Sequence, residues 1–421
     1  MHKKTTLDNG LRIVTSSMPH TMSVSVCVFL GTGSRYETME NAGISHFSEH
    51  MLFKGTERRP SSKAISEAID GIGGILNGGT DKELTLYWAK VARPHFNIAL
   101  DLLVDMLHNS RFDPHEIENE RAVIIEELNM CTDSPQSRAD TLIDEVLWPD
   151  QALGRDILGK KETVNATDRQ MIIDYIDKHY LARNTVVSVA GNIEHDEVVD
   201  SVAGCMIDWR ANSPNSWFPA DNTQHAPRVG IEKRKTEQNN FCLAVRGLSH
   251  LHRDRFILEL LNIILGEGMS SRLFLELREH KGLTYDIHSH LSYFHDAGAV
   301  SIFAGVDPNK LESAITCILG EMVKLKDDII AEEEIKKAKE FGKGRLMLRM
   351  EDTRNVSSWI GGQELLTENI RTIEDVVQTI DGITAKDIQR VARDLFVTNN
   401  LNLALVGPLK KGERIDKLLK L

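Results

Sequence analysis

The chain has 421 residues, 41% of them hydrophobic and 27% charged, a composition that excludes a disordered or collagenous protein. At about 150 residues per domain the length supports two or three domains, each able to bury a core without disulfides. Fifty Lys and Arg against 62 Asp and Glu leave a net charge of −12, which argues against a nucleic-acid partner.

No apolar run of about 18 residues occurs, so no membrane partner is expected. Met1-His2-Lys3-Lys4 lacks the apolar stretch of a signal peptide. Five cysteines (Cys27, Cys131, Cys205, Cys242, Cys317) are scattered without a C-x-x-C pair. Reduced core thiols in a cytoplasmic protein are therefore expected.

In chain order, residues 5–14 read as strand, turn at Asn9-Gly10, strand. Gly43 to Thr56 contains a short helix rich in apolar residues. Leu84–Val91 alternates as a strand, Pro94 breaks it, and a helix follows to Leu107. Glu116–Met130 reads as a further helix. Met171–Tyr180 is an amphipathic helix, with Thr167 or Asp168 as N-cap. It leads into an alternating strand that stops at Gly191.

The pattern then repeats. Asp387–Phe396 and the strand ending at Gly407 match the segment ending at Gly191, pairing Tyr180 with Phe396 and Asn184 with Asn400. Ala299–Met322 matches Thr85–Leu107, and Cys242–Arg246 matches Val26–Leu30. Between the copies lies a segment with three prolines and many small polar residues. The expected organisation is a domain over 1–210, a linker over 211–228 and a similar domain over 229–421. The expected class is α+β, with helices packed on one face of a mainly antiparallel sheet in each domain.

The chemistry concentrates in His46-Phe47-Ser48-Glu49-His50. On a helix, positions i and i+4 share a face, so His46 and His50 can present both imidazoles to one metal ion. Glu49 can reach a water on that metal and accept its proton. Phe47, Met51, Leu52 and Phe53 make the helix apolar, and buried His and Glu side chains need partners. Catalytic zinc takes three protein ligands and a water. The third ligand is sought in Glu116–Met130, where Glu120 and Glu127 lie two turns apart and point the same way. Glu127 is the candidate ligand and Glu120 the carboxylate that orients a ligand histidine. Spacing alone separates Glu126 from Glu127 only weakly.

The inverted His-x-x-Glu-His, followed by Glu120-Arg121-Ala122-Val123-Ile124-Ile125-Glu126-Glu127, resembles the pitrilysin-like zinc metallopeptidases. Within them the chain is most similar to mitochondrial processing peptidase and its bacterial processing-protease relatives. Leu7-Asp8-Asn9-Gly10-Leu11 and Phe53-Lys54-Gly55-Thr56 share in the resemblance. It implies Glu127 as the ligand, one Zn2+ per chain, and two homologous domains enclosing a cavity. Aligning Gly55 with Gly268 sets Glu259, Asn262 and Ile263 against His46, Glu49 and His50, so the second copy cannot hold the same metal.

The family's second domain supplies an Arg and a Tyr, matched here by Arg278 and Tyr285. Tyr285 would donate to the oxyanion and Arg278 would hold the substrate backbone. Asn77, Gly78, Gly79 and Thr80 resemble the strand that pairs with an extended substrate, although the family's alanine and aromatic residue are both glycine here. The resemblance implies a zinc endopeptidase for unstructured peptides or presequence-like segments, acting as a homodimer. The alternatives are a non-catalytic scaffold of the same fold, or a catalytic subunit that needs a different partner chain.

Overall fold

The computed structural model describes residues 2–409 and 415–421. The chain divides into two compact units. The first is built from the stretch ending at Leu128, Arg155–Phe218 and Met347–Thr372. Its sheet contains β1 (His2–Thr6), β2 (Arg12–Ser17), β3 (Ser23–Leu30), β4 (Ile75–Thr80), β5 (Thr85–Ala92) and β6 (Thr185–Gly191). The strands run in the order β1-β2-β6-β3-β5-β4. The β2–β6 pair is parallel and the other pairs are antiparallel.

Alternation along β3 explains the layering. Val24, Val26, Val28 and Leu30 share one cluster with Phe47 and Met51 of α1 (Ile44–Leu52) and with Leu102, Leu103 and Met106 of the helix Phe96–Asn109. Ile117, Ile124 and Leu128 of α2 (Pro114–Asp133) join the same core. Cys27 and Phe29 point to the opposite face.

The second unit comprises Asn129–Gly154, Pro219–Leu346 and the stretch beginning at Ile373. Its strands are β7 (Arg228–Lys233), β8 (Asn239–Arg246), β9 (Thr284–Tyr293), β10 (Gly298–Val306) and β11 (Leu401–Gly407). Their order, β7-β11-β8-β10-β9, repeats β2-β6-β3-β5-β4, including the one parallel pair. The duplication read from sequence is thus a duplication of topology. The capping also repeats: Asp168 accepts from Met171 N at 2.8 Å, and Thr384 accepts from Asp387 N at 3.3 Å.

The units are not the two consecutive halves of the sequence. Helix α3 (Pro135–Leu147), from the first half, buries Ala139, Leu142, Ile143 and Leu147 in one cluster with Cys242 and Ala244 of β8 and Ala404 and Val406 of β11. Helix α4 (Thr353–Thr367), from the second half, places Ile360 against Val14, Cys27, Phe29 and Val186 of the first sheet. The segments 129–154 and 347–372 therefore leave the expected ranges 1–210 and 229–421. The cause is the β-alternation: both faces of each sheet carry apolar side chains, and a sheet buried on both faces needs a cover on each. On the first sheet, α1 and the helix Phe96–Asn109 cover one face and α4 covers the other, where helices on a single face were expected.

Candidate metal centre

Eight of the nine residues of α1 are buried, so its polar side chains must find partners inside the unit. The carboxylate of Glu37 accepts from Gly43 N and Ser45 N, both at 2.8 Å, and so satisfies the free amides at the helix start. Negative charge there also suits the helix dipole. This anchors the turn from which His46 and His50 project.

The two imidazoles converge, with His46 Nε2 and His50 Nε2 3.1 Å apart. Glu127 of α2 brings Oε2 to 3.7 Å from each of them. On the far side of the His50 ring, Nδ1 lies 2.8 Å from Glu120 Oε1. Glu120, itself buried, is also paired with Lys54. Burial favours its neutral form, but the bonds from His50 and Lys54 win and hold its pKa below the ordinary carboxylate value. Glu118 and Glu126, on the same helix, are exposed.

Among the described residues, the ligating atoms of His46, Glu49 and His50 lie within 4.8 Å of one another. Proximity therefore leaves Glu49 and Glu127 both eligible as third ligand. Hydrogen bonding separates them. Glu49 Oε2 accepts from Thr80 Oγ1 at 3.4 Å, whereas Glu127 Oε2 is buried with no hydrogen-bond partner among the described residues. Two imidazole nitrogens and one unpartnered carboxylate oxygen, facing each other, fit the donor set of zinc.

Burial, reinforced by the neighbouring His50, pushes His46 down to about 3, so its ring is neutral as a ligand must be. For His50 burial also opposes the charge, but the Glu120 bond and the Glu49 and Glu127 carboxylates outweigh it and raise its pKa. Burial likewise raises the pKa of Glu49, the direction that suits a proton acceptor working near neutrality.

Strand β4 forms the sheet edge beside α1. The faces of its residues differ in a way that the motif Asn77-Gly78-Gly79-Thr80 did not reveal. Gly78 and Thr80 turn toward Glu49, and a Cβ on Gly78 would sit 2.8 Å from Glu49 Oε1. A Cβ on Gly79 would meet nothing within 4 Å. The Thr80–Glu49 bond and the Lys54–Glu120 pair were missed in the sequence. Lys54 stands four positions after His50, and that helical spacing was the available signal.

In the second unit Arg278 and Tyr285 are brought together. The Arg278 guanidinium stacks 4.6 Å from the Tyr285 ring and 4.8 Å from Phe274. Tyr285, at the start of edge strand β9, is 78% exposed. The counterpart of α1 there is the helix Arg255–Gly266. On it Asn262 is buried and Glu259 pairs with Arg255 at 3.6 Å, so its side chains offer no matching ligand set.

Residues 12–161 match the family Insulinase (Peptidase family M16), and residues 166–341 match the Peptidase M16 inactive domain. An uncharacterized zinc protease of Bacillus subtilis, YmxG, is 38% identical over 97% of this chain and 98% of its own length. An uncharacterized zinc protease of Streptomyces coelicolor is 36% identical over 97% of this chain and 90% of its own. Among solved structures, a protease from Helicobacter pylori superposes with a TM-score of 0.91 at 23% identity, covering 97% of this chain and all of that one. A chain of Complex III2 from Candida albicans superposes at 0.86 with 19% identity, covering 99% of this chain and 98% of that one. These two show a shared fold. No helix among the described residues is long and apolar enough to cross a membrane. A relative 38% identical over nearly both full lengths settles the family, and the chain belongs to the insulinase-like M16 peptidases.

Proposed function

We propose that the chain is a zinc-dependent endopeptidase that cleaves unstructured peptides or presequence-like extended segments. The observation that carries this reading is the unpartnered Glu127 Oε2, facing both Nε2 atoms of His46 and His50 at 3.7 Å with the Glu49 carboxylate alongside. His46, His50 and Glu127 would hold the zinc, which would supply Lewis-acid polarisation of the scissile carbonyl and a lowered pKa for bound water. Glu49 takes the proton from the attacking water and passes it to the leaving amine. Glu120 fixes the ring of His50 through Nδ1. The edge of β4 offers backbone groups to an extended substrate, which favours unfolded chains over native proteins. By the family resemblance, the Tyr285 hydroxyl donates to the oxyanion and Arg278 holds the substrate backbone.

The test is a quenched-peptide assay of the full chain with and without chelator, beside Glu49→Gln with its zinc measured. The expected outcome is turnover that chelator abolishes, and a variant that retains one zinc but does not cleave. Loss of zinc from Glu49→Gln would make Glu49 a ligand and refute its assignment as base. Cleavage unaffected by chelator would refute the metal mechanism.

A further inference from the structure

The Asn9-Gly10 turn takes no part in the metal chemistry, yet the Asn9 side chain is fully engaged. Its Nδ2 donates to the carbonyls of Met206 and Ile207 at 2.8 and 2.9 Å, and its Oδ1 accepts from Leu11 N at 3.1 Å. The turn carrying Trp209 is thereby pinned where the helix His195–Met206 ends. Beside that turn, within the first unit, lies a hollow of about 280 Å³.

Trp209 and Phe112 supply apolar wall, and Tyr180 is the most buried of the lining residues. Phe112 has φ of +48°, in the left-handed region that a bulky residue rarely enters. Arg169 holds it there by donating to the carbonyls of Phe112 at 2.9 Å and Arg111 at 3.3 Å. Both lips of the hollow are thus fixed by side chains that reach in from other segments. A pre-formed site with a strained wall residue is a feature of binding pockets rather than of loose surface.

The rim carries both signs of charge. Asp208 is an exposed carboxylate, and Arg210 bonds Asp177 at 2.6 Å with 53% of its side chain exposed. His108 packs against Trp209 at 4.9 Å, and burial together with Arg210 lowers its pKa, so it adds no positive charge near neutral pH. Asp177 offsets part of the Arg210 charge, so the rim offers the Asp208 carboxylate to a cationic group and the exposed side of Arg210 to an anionic one. A zwitterion satisfies both. We propose that this hollow binds a free α-amino acid with a large apolar side chain. Its ammonium group meets Asp208, its carboxylate meets Arg210, and its side chain lies against Trp209 and Phe112. The proposal does not depend on the peptidase reading.

Calorimetric titration of the full chain with L-phenylalanine tests it, with phenethylamine and hydrocinnamate as analogues that lack one charge each. Saturable binding is expected in wild type and in His46→Ala. It should weaken about ten-fold or more in Asp208→Asn, in Arg210→Gln and with either analogue. Absence of saturable heat at millimolar phenylalanine overturns the proposal. So does an analogue that binds as tightly as the amino acid, or binding that is lost in His46→Ala and kept in the rim variants, which would place the ligand at the metal centre.

Discussion

Glu120 Oε1 stands 2.8 Å from His50 Nδ1, on the side of the ring opposite the Nε2 that faces His46 and Glu127. The two residues come from different helices 70 positions apart, so the orientation of His50, the proposed ligand on α1, depends on a carboxylate of α2. The same carboxylate holds Lys54, four residues after His50 and just past the end of α1. A histidine with one nitrogen held this way has its tautomer set before any metal arrives.

Glu120→Gln is therefore expected to weaken zinc binding by about 10- to 100-fold without removing a ligand. Competition with a chelator of known affinity measures this. An unchanged affinity would mean that Lys54 and the surrounding core, rather than Glu120, orient His50.

Gly78 and Gly79 are neighbours with opposite surroundings. A side chain at 78 meets Glu49 Oε1 at 2.8 Å and the Phe53 ring at 3.0 Å, while one at 79 meets nothing within 4 Å. Gly78→Val should displace the Glu49 carboxylate and lower kcat by about 10- to 100-fold with zinc retained, since small misplacements of a reacting group carry costs of that size. Gly79→Val should leave kcat near wild type. Steady-state kinetics on the pair decides it, and equal kcat values would show that Glu49 moves aside without penalty.

Helix α4 lies on the first sheet at Gly361, where a Cβ would come within 2.4 Å of Phe29 Cε2 and 2.7 Å of Ser188 Cβ. Ser357 Oγ donates to Ser188 O at 2.8 Å, and Ser188 Oγ donates to Ser357 O at 2.7 Å, which holds helix and strand at that spacing. Gly361→Val should destabilise by about 1–3 kcal/mol through overpacking. Gly362→Ala, with open space at its Cβ, should stabilise by up to about 1 kcal/mol through helix propensity. Denaturant midpoints of the two variants should move in opposite directions.

Burial pushes Glu37 up to about 7, against the pull of Ser45, the Gly43 and Ser45 amides and Arg155. Its ordinary value is 4.5. Between those two values the folded chain holds a proton that the unfolded chain has lost. This residue's effect on stability therefore declines as pH rises from about 4.5 to 7, and its cost is fully present above 7. Glu37→Gln removes that titration. The melting temperature of the variant minus that of wild type should climb across this window, whatever constant offset the lost hydrogen bond adds. A difference that is flat with pH would show that Glu37 stays ionised in the folded protein.

The sequence by itself determined the chemistry at short range. Helical spacing put His46 and His50 on one face with Glu49 beside them, and put Glu120 and Glu127 on one face of another helix, because a 3.6-residue repeat converts numbers directly into directions. Strand alternation and the repeated segments likewise carried the duplicated sheet, while the structure chose Asp168 over Thr167 as the first cap. Tertiary structure decided what periodicity cannot encode. It faced Glu127 Oε2 toward both imidazoles and left it unpartnered, while Thr80 occupied Glu49. It also sent α3 and α4 to the sheet of the opposite half. An amphipathic helix declares that it will bury one face but not against which sheet. Both sheets present an apolar second face, and the partner is chosen by close contacts such as Gly361 on Phe29 and Gly230 on Val146, where a missing side chain makes room.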